Sequence, residues 1–179
     1  MIRLKSHLHG LPGILTSLVL FCGLASCGYH QAERTVALPG WIRTVYVAPW
    51  ENRSNELELA AWITDELRQE FLRGSALALA QSDEADVLLE GEVVTVTTSG
   101  LSYVRYDQAV ERSIAAECAV RLVERKSGRV LWEAENIMRE EDFLVGRHVM
   151  ETEGRKDEAL KKISRDVAEL IYHRVTGIF

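Results

Sequence analysis

Residues 115–139 read AAECAVRLVERKSGRVLWEAENIMR, and the parity of this stretch decides the fold. In Ala115–Arg125, Cys118, Val120 and Leu122 share one face, while Glu117, Arg121 and Arg125 point the other way. In Arg129–Arg139, Val130, Trp132, Ala134 and Met138 share a face opposite Glu133, Glu135 and Arg139. Alternation of this kind marks two half-buried strands, and Ser127-Gly128 between them marks a hairpin turn. A two-residue loop would set Leu122 against Glu133 and turn one apolar set outward. A three-residue loop, Lys126-Ser127-Gly128 with Gly128 left-handed, sets Leu122 against Trp132, Val120 against Ala134 and Arg121 against Glu133. That register is the expected one.

Working outward, Val87–Thr98 reads as a third strand and Thr44–Ala48 as a fourth, the latter closed by Pro49. Between these two, Leu59, Ile63, Leu67 and Phe71 recur at four-residue spacing, joined by Trp62, and predict an amphipathic helix. Asn55 with Glu58 resembles a capping box at its start, and Gly74 is the expected C-cap. Leu160, Ile163, Val167, Leu170, Ile171 and Val175 predict a second helix ending near Gly177. The order is β-α-β-β-β-α. It predicts an α+β, two-layer sandwich: two helices on one face of a mixed four-stranded sheet, with a charged face outward.

The chain has 179 residues, 47% of them hydrophobic and 27% charged, which suits one ordinary domain. Its first 26 residues differ from the rest. Arg3 and Lys5 precede an apolar run, Ile14–Leu24, too short to cross a bilayer as a stable helix, and the run ends in Leu24-Ala25-Ser26-Cys27. This resembles the bacterial lipobox, which implies cleavage before Cys27, diacylglycerol on its thiol and acylation of the new amine. Gly28 rather than Asp after the cysteine implies, by the enterobacterial sorting rule, delivery to the outer membrane. The expected division is residues 1–26 as signal peptide, 27–41 as lipidated tether and 42–179 as a single sandwich domain. Beyond the signal, 19 basic residues face 27 acidic ones, a formal charge of about −8 that argues against nucleic-acid binding. Only Cys118 is left as a thiol, so no intramolecular disulfide is expected.

No His-Glu-x-x-His, Gly-x-Ser-x-Gly or phosphate-binding glycine loop occurs, so no enzyme and no cofactor are expected. His148 and Glu151 have the spacing of two metal ligands on a helical turn, but two ligands make no site, and a solvated pair is the expected reading. Glu140-Glu141-Asp142 reads as a solvated turn. Cys118 sits on an apolar strand face and reads as a buried, inert thiol.

In order along the chain come Cys27-Gly28-Tyr29-His30, Leu38-Pro39, Thr44-Val45-Tyr46-Val47-Ala48-Pro49 and Glu51-Asn52-Arg53-Ser54. Ala85-Asp86-Val87-Leu88-Leu89-Glu90-Gly91 and Ser127-Gly128-Arg129-Val130-Leu131-Trp132 follow. Together these resemble the LptE family of outer-membrane lipoproteins. The resemblance implies a partner, the β-barrel LptD, inside which LptE lodges as a plug, aids barrel assembly and contacts lipopolysaccharide. Arg121, Lys126 and Arg129 are candidate lipopolysaccharide contacts, named without a motif match. Size is compatible with a plug: ~150 residues give a diameter of roughly 38 Å. A barrel of about 26 strands leaves roughly 40 Å inside, and one of about 16 only about 22 Å. The alternative is a free-standing, periplasm-facing lipoprotein that binds a small ligand or envelope polymer. A lipid-anchored hydrolase lacks a nucleophile–base pair.

Overall fold

A computed structural model of the chain describes residues 38–105 and 108–177, and the side chains of these except within 101–109. Expectations placed on residues 1–37, the lipobox and Cys27 among them, lie outside these. The first strand, β1 (Thr44–Val47), runs parallel to β4 (Val87–Arg105), with Val45 beside Val87 and Val47 beside Leu89. Pro49 has no N–H to donate, and pairing lapses there. The Trp50 N–H donates instead to Thr64 Oγ1 (3.1 Å), and a two-residue strand, β2 (Glu51–Asn52), then resumes pairing with β4. Helix α1 (Leu59–Arg73) crosses over to a second two-residue strand, β3 (Ala78–Leu79), parallel to β1 on its other side. The meander β4, β5 (Gln108–Glu124) and β6 (Val130–Leu144) and the long helix α2 (Val149–Thr176) complete the chain. The sheet has six strands in the order β3-β1-β4-β5-β6, with β2 on β4. The fold class is the expected α+β sandwich. The four expected strands are joined by two short parallel ones, which carry too few residues to show alternation.

The hydrophobic stripes meet in one core. Leu59, Ile63, Leu67 and Phe71 from α1 and Leu160, Ile163, Val167, Ile171 and Val175 from α2 are buried against Val45, Val47, Leu89, Val93, Ile114, Cys118 and Leu122 of the sheet. The capping box is not formed. Helix α1 starts from Glu58 with no side-chain cap, and Asn52 instead orders the preceding turn. Its Nδ2 donates to the Glu56 carbonyl (2.8 Å), while its Oδ1 accepts from the Ser54 N–H (2.9 Å). Gly74 is extended at φ −83°, not left-handed. Its lack of a side chain serves packing: a Cβ there would stand 1.8 Å from the Tyr172 hydroxyl oxygen. Gly177, at φ +70°, is the left-handed stop, and its N–H donates to the His173 carbonyl (3.0 Å).

The hairpin keeps the expected register at its centre, with Val120 opposite Ala134, Arg121 opposite Glu133 and Leu122 opposite Trp132. Its loop is one residue longer than expected. The Glu124 N–H donates to the Arg129 carbonyl (2.8 Å) and the Gly128 N–H to the Glu124 carbonyl (2.8 Å), so Arg125–Gly128 form the turn. The surplus residue is absorbed by a bulge, because Val123 pairs with Val130 whereas Leu122 pairs with Trp132. Without it, parity would reverse and Trp132 would leave the core. A second register shift separates the pairs Val120–Ala134 and Cys118–Ile137. It corrects the expected face: Ile137 is buried, and Met138 is 59% exposed. All three meander strands outrun their expected ends, and Glu140-Glu141-Asp142 lies within β6 rather than in a turn. There Ser113 donates to Glu140, and Lys162 of α2 reaches Glu141 at 2.7 Å.

Gly128 does hold a left-handed conformation, φ +70°, and a Cβ there would meet nothing within 4 Å, so any penalty is purely one of backbone. Gly128→Val should therefore destabilise the domain by on the order of 1 kcal/mol or more. Ser127→Ala should cost less. Denaturant melts of the two variants check this, and equal, negligible effects would contradict it.

Candidate binding surface

The sheet face away from the helices carries a shallow trough of about 560 Å³, lined from β2, β4, β5 and β6. Period-two alternation turns Glu90 and Glu92 outward on β4 between the buried Leu89 and Val93. Glu51, Glu133 and Glu135 add carboxylates, and Arg53 and Arg121 are its two cations. Both cations are engaged: Arg53 Nη2 lies 2.7 Å from Glu92 Oε2, and Arg121 Nε donates to Glu90 Oε2 at 2.7 Å. Arg121 is opposite Glu133 in register, yet its ion pair runs across the other side of β5 to β4. Five carboxylates against two guanidiniums make a surface suited to cationic groups and unfavourable to a phosphate.

A second surface lies at the end of the sheet where β1 begins and the β5–β6 turn projects. Asp86 joins the two. Its Oδ2 accepts from the Arg43 N–H (2.9 Å), the Thr44 N–H (3.1 Å) and Thr44 Oγ1 (3.0 Å), and its carbonyl accepts from the Arg125 N–H (3.1 Å). The Arg43 N–H bond, with the Thr44 bonds and the nearby Lys126 charge, holds the Asp86 carboxyl below its usual pKa against the opposing effect of burial. Arg125 Nε donates to the Ala85 carbonyl at 2.6 Å, so this side chain braces the turn rather than facing outward from the sheet. Lys126 and Arg129 are exposed at the tip, Arg129 with its Nη2 3.4 Å from Glu124 Oε2. Of the three candidate lipopolysaccharide contacts, Lys126 and Arg129 thus share this tip, and Arg121 stands apart in the acidic trough.

The remaining candidates have structural partners. Glu151 Oε2 accepts from the Arg147 N–H (2.9 Å) and its Oε1 from Arg155 Nη2 (2.6 Å), while His148 is the N-cap residue of α2. Among the described residues, no group of three or more His, Cys, Asp or Glu is placed to hold a metal ion. Cys118 is buried, and that desolvation, with the Glu117 charge, pushes its thiol up to about 12, far from thiolate at neutral pH. The sequence reading missed Glu51, Glu90, Glu92 and Asp86. The first three lie outward by alternation or in a strand too short to detect, and Asp86 becomes a hub only through contacts 42 and 43 residues away.

No helix of the described residues is long and apolar enough to cross a membrane. Among curated proteins no sequence matches the chain. The solved structure of uncharacterized lipoprotein B from Nitrosomonas europaea is similar at 15% identity and a TM-score of 0.55, covering 84% of this chain and 91% of that one. A hypothetical protein of Chlamydia trachomatis is similar at 13% identity and a TM-score of 0.50, covering 76% and 99%. At such identities these likenesses establish the fold alone. Sequence goes further, since a family model described as lipopolysaccharide-assembly, LptE, matches residues 42–175, from the first buried residue before β1 to the last buried residue of α2. With the whole helix-on-sheet domain inside that match, the chain belongs to the LptE family of lipopolysaccharide-assembly proteins.

Proposed function

We propose that the protein is an outer-membrane lipoprotein, anchored through Cys27, whose domain from residue 42 onward plugs an LptD-type β-barrel. In that position it helps the barrel assemble and assists the placement of lipopolysaccharide in the outer leaflet. The observation that carries this reading is the family match across residues 42–175. The surface supports it: the trough is polar and charged, as a fit to the polar lumen of a large barrel requires. Arg121, Lys126 and Arg129 are spread over two surfaces, so they are not proposed as one lipopolysaccharide site. No catalytic step is proposed.

A tagged copy purified from outer membranes should bring down a large β-barrel in equal amount. Depleting the protein should lower folded barrel and surface lipopolysaccharide together. If no barrel co-purifies and depletion changes neither, the free-standing lipoprotein reading takes over.

A further inference from the structure

We propose that the outer sheet face is a docking surface for a cationic polypeptide segment, one that carries lysine or arginine beside aliphatic side chains. This rests on the plug reading, which makes the lumen wall of the barrel the source of that segment. Both helices pack on the other face, and no described helix or strand lies over this one. Beyond the trough, the face holds a feature that solvation alone does not call for. Tyr46 pairs with Leu88, Leu88 with Val123 and Val123 with Val130, one row across β1, β4, β5 and β6. Tyr46 and Leu88 alternate with buried Val45, Val47, Val87 and Leu89, and Val123 follows buried Leu122, so the row points away from the helices. Val130 is 44% exposed. Apolar side chains on four neighbouring strands make a band roughly 14 Å wide on the outer side of the sheet.

The band borders the carboxylates. One pleat along, about 7 Å, lies the row Glu90, Arg121 and Glu133, and one pleat further lie Glu92, Ala119 and the Glu135–Asn136 bulge. Arg121 is taken by Glu90 and Arg53 by Glu92. Glu133 and Glu135 are exposed and have no ion-pair partner among the described residues. Ala119 puts only a methyl group on the floor beside them, which leaves room for the stem of a long cationic side chain. A small cation would use none of the apolar band, and a lipid phosphate would be repelled by the carboxylates. An extended segment with an aliphatic residue at one position and lysine or arginine two further on matches both, because its like-facing side chains recur at the same spacing. The lumen-facing residues of a barrel strand recur in that way. Lys126 and Arg129 lie beyond the band at the β5–β6 turn, so the attraction centres on Glu133 and Glu135.

The test is co-purification of the barrel from outer membranes with the tagged, full-length chain. Glu133→Lys with Glu135→Lys should lower the barrel recovered per copy more than about tenfold, since like charges facing across an interface are strongly disfavoured. Glu133→Gln with Glu135→Gln should lower it less but measurably, and Val130→Ser should lower it too. Asp65→Lys with Glu158→Lys, the same change of charge at exposed positions of α1 and α2, should leave it unchanged. Urea midpoints of the purified variants should match that of the unaltered chain, because neither Glu133 nor Glu135 holds an ion pair in the fold. The inference is overturned by an equal loss from the helix variant, or by a loss with the lysine pair and none with the glutamine pair or Val130→Ser. Undiminished recovery with the lysine pair, where the unaltered chain does bring the barrel down, defeats the inference alone. Absence of the barrel even with the unaltered chain defeats the plug reading and takes the inference with it.

Discussion

Replacing Phe71 by alanine should lower the unfolding free energy by about 3–5 kcal/mol, the range for removing a fully buried aromatic ring. Phe71 is 2% exposed on the last turn of α1, and its ring meets Tyr172 of α2 edge-on, with centroids 5.2 Å apart. Tyr172 in turn occupies the space over Gly74, so it cannot collapse into the vacated volume without uncovering that glycine. The cavity therefore persists, and the cavity term adds to the lost transfer energy. The adjacent residue makes the control. Leu72 is 72% exposed, and Leu72→Ala should stay within about 0.5 kcal/mol of the unaltered protein. Urea melts of both variants check the pair, and similar losses would mean that α1 presents a different face to the sheet.

The second large effect concerns anchorage. Cys27→Ala should abolish the processed, lipid-anchored form and leave an uncleaved precursor or a soluble protein. Each buried methylene contributes about 0.8 kcal/mol, so three acyl chains on one residue make release negligible, and none of that survives the substitution. Intact mass of the membrane-extracted protein should show a triacylated N-terminal cysteine. An N-terminus elsewhere, or a Cys27→Ala protein still processed before residue 27 and still fully membrane-bound, would defeat the assignment. Soluble Cys27→Ala protein in the periplasm should still bind the barrel, because the anchor raises encounter without supplying the specificity.

How much of this was legible in the sequence depended on the reach of each interaction. Helix faces and the centre of the hairpin follow from local period and parity, and Leu59, Ile63, Leu67, Phe71, Leu122 and Trp132 all pack as that pattern requires. Bulges break the inference. The shift between the Val120 and Cys118 pairs exchanges Met138 for Ile137 in the core, and nothing in the local sequence marks the extra residue. Strand ends were lost for a related reason: Ser99 and Gly100, beyond the expected end at Thr98, carry no apolar alternation, and cross-strand pairing with Ser113 and Arg112 holds them in β4. The trough was half visible. Glu133, Glu135 and Arg121 follow from parity, but their meeting with Glu51 and Arg53 depends on the parallel pairing of β2 with β4, which no local pattern encodes.

The outermost strand, β6, has a bearing on solubility. Among the described residues no strand pairs with the outer border of this fifteen-residue strand, and such a border would ordinarily template growth into strand polymers. Here two bulges interrupt the first half, and the second half carries Arg139-Glu140-Glu141-Asp142, with α2 packed against it and Lys162 holding Glu141. A second strand laid alongside would face kinked backbone at one end and crowded carboxylates at the other. A lipid anchor crowds identical chains onto one membrane surface, where runaway polymerisation is most dangerous. The irregularities that hid this strand's register from the sequence are thus also features that disfavour strand addition along this border.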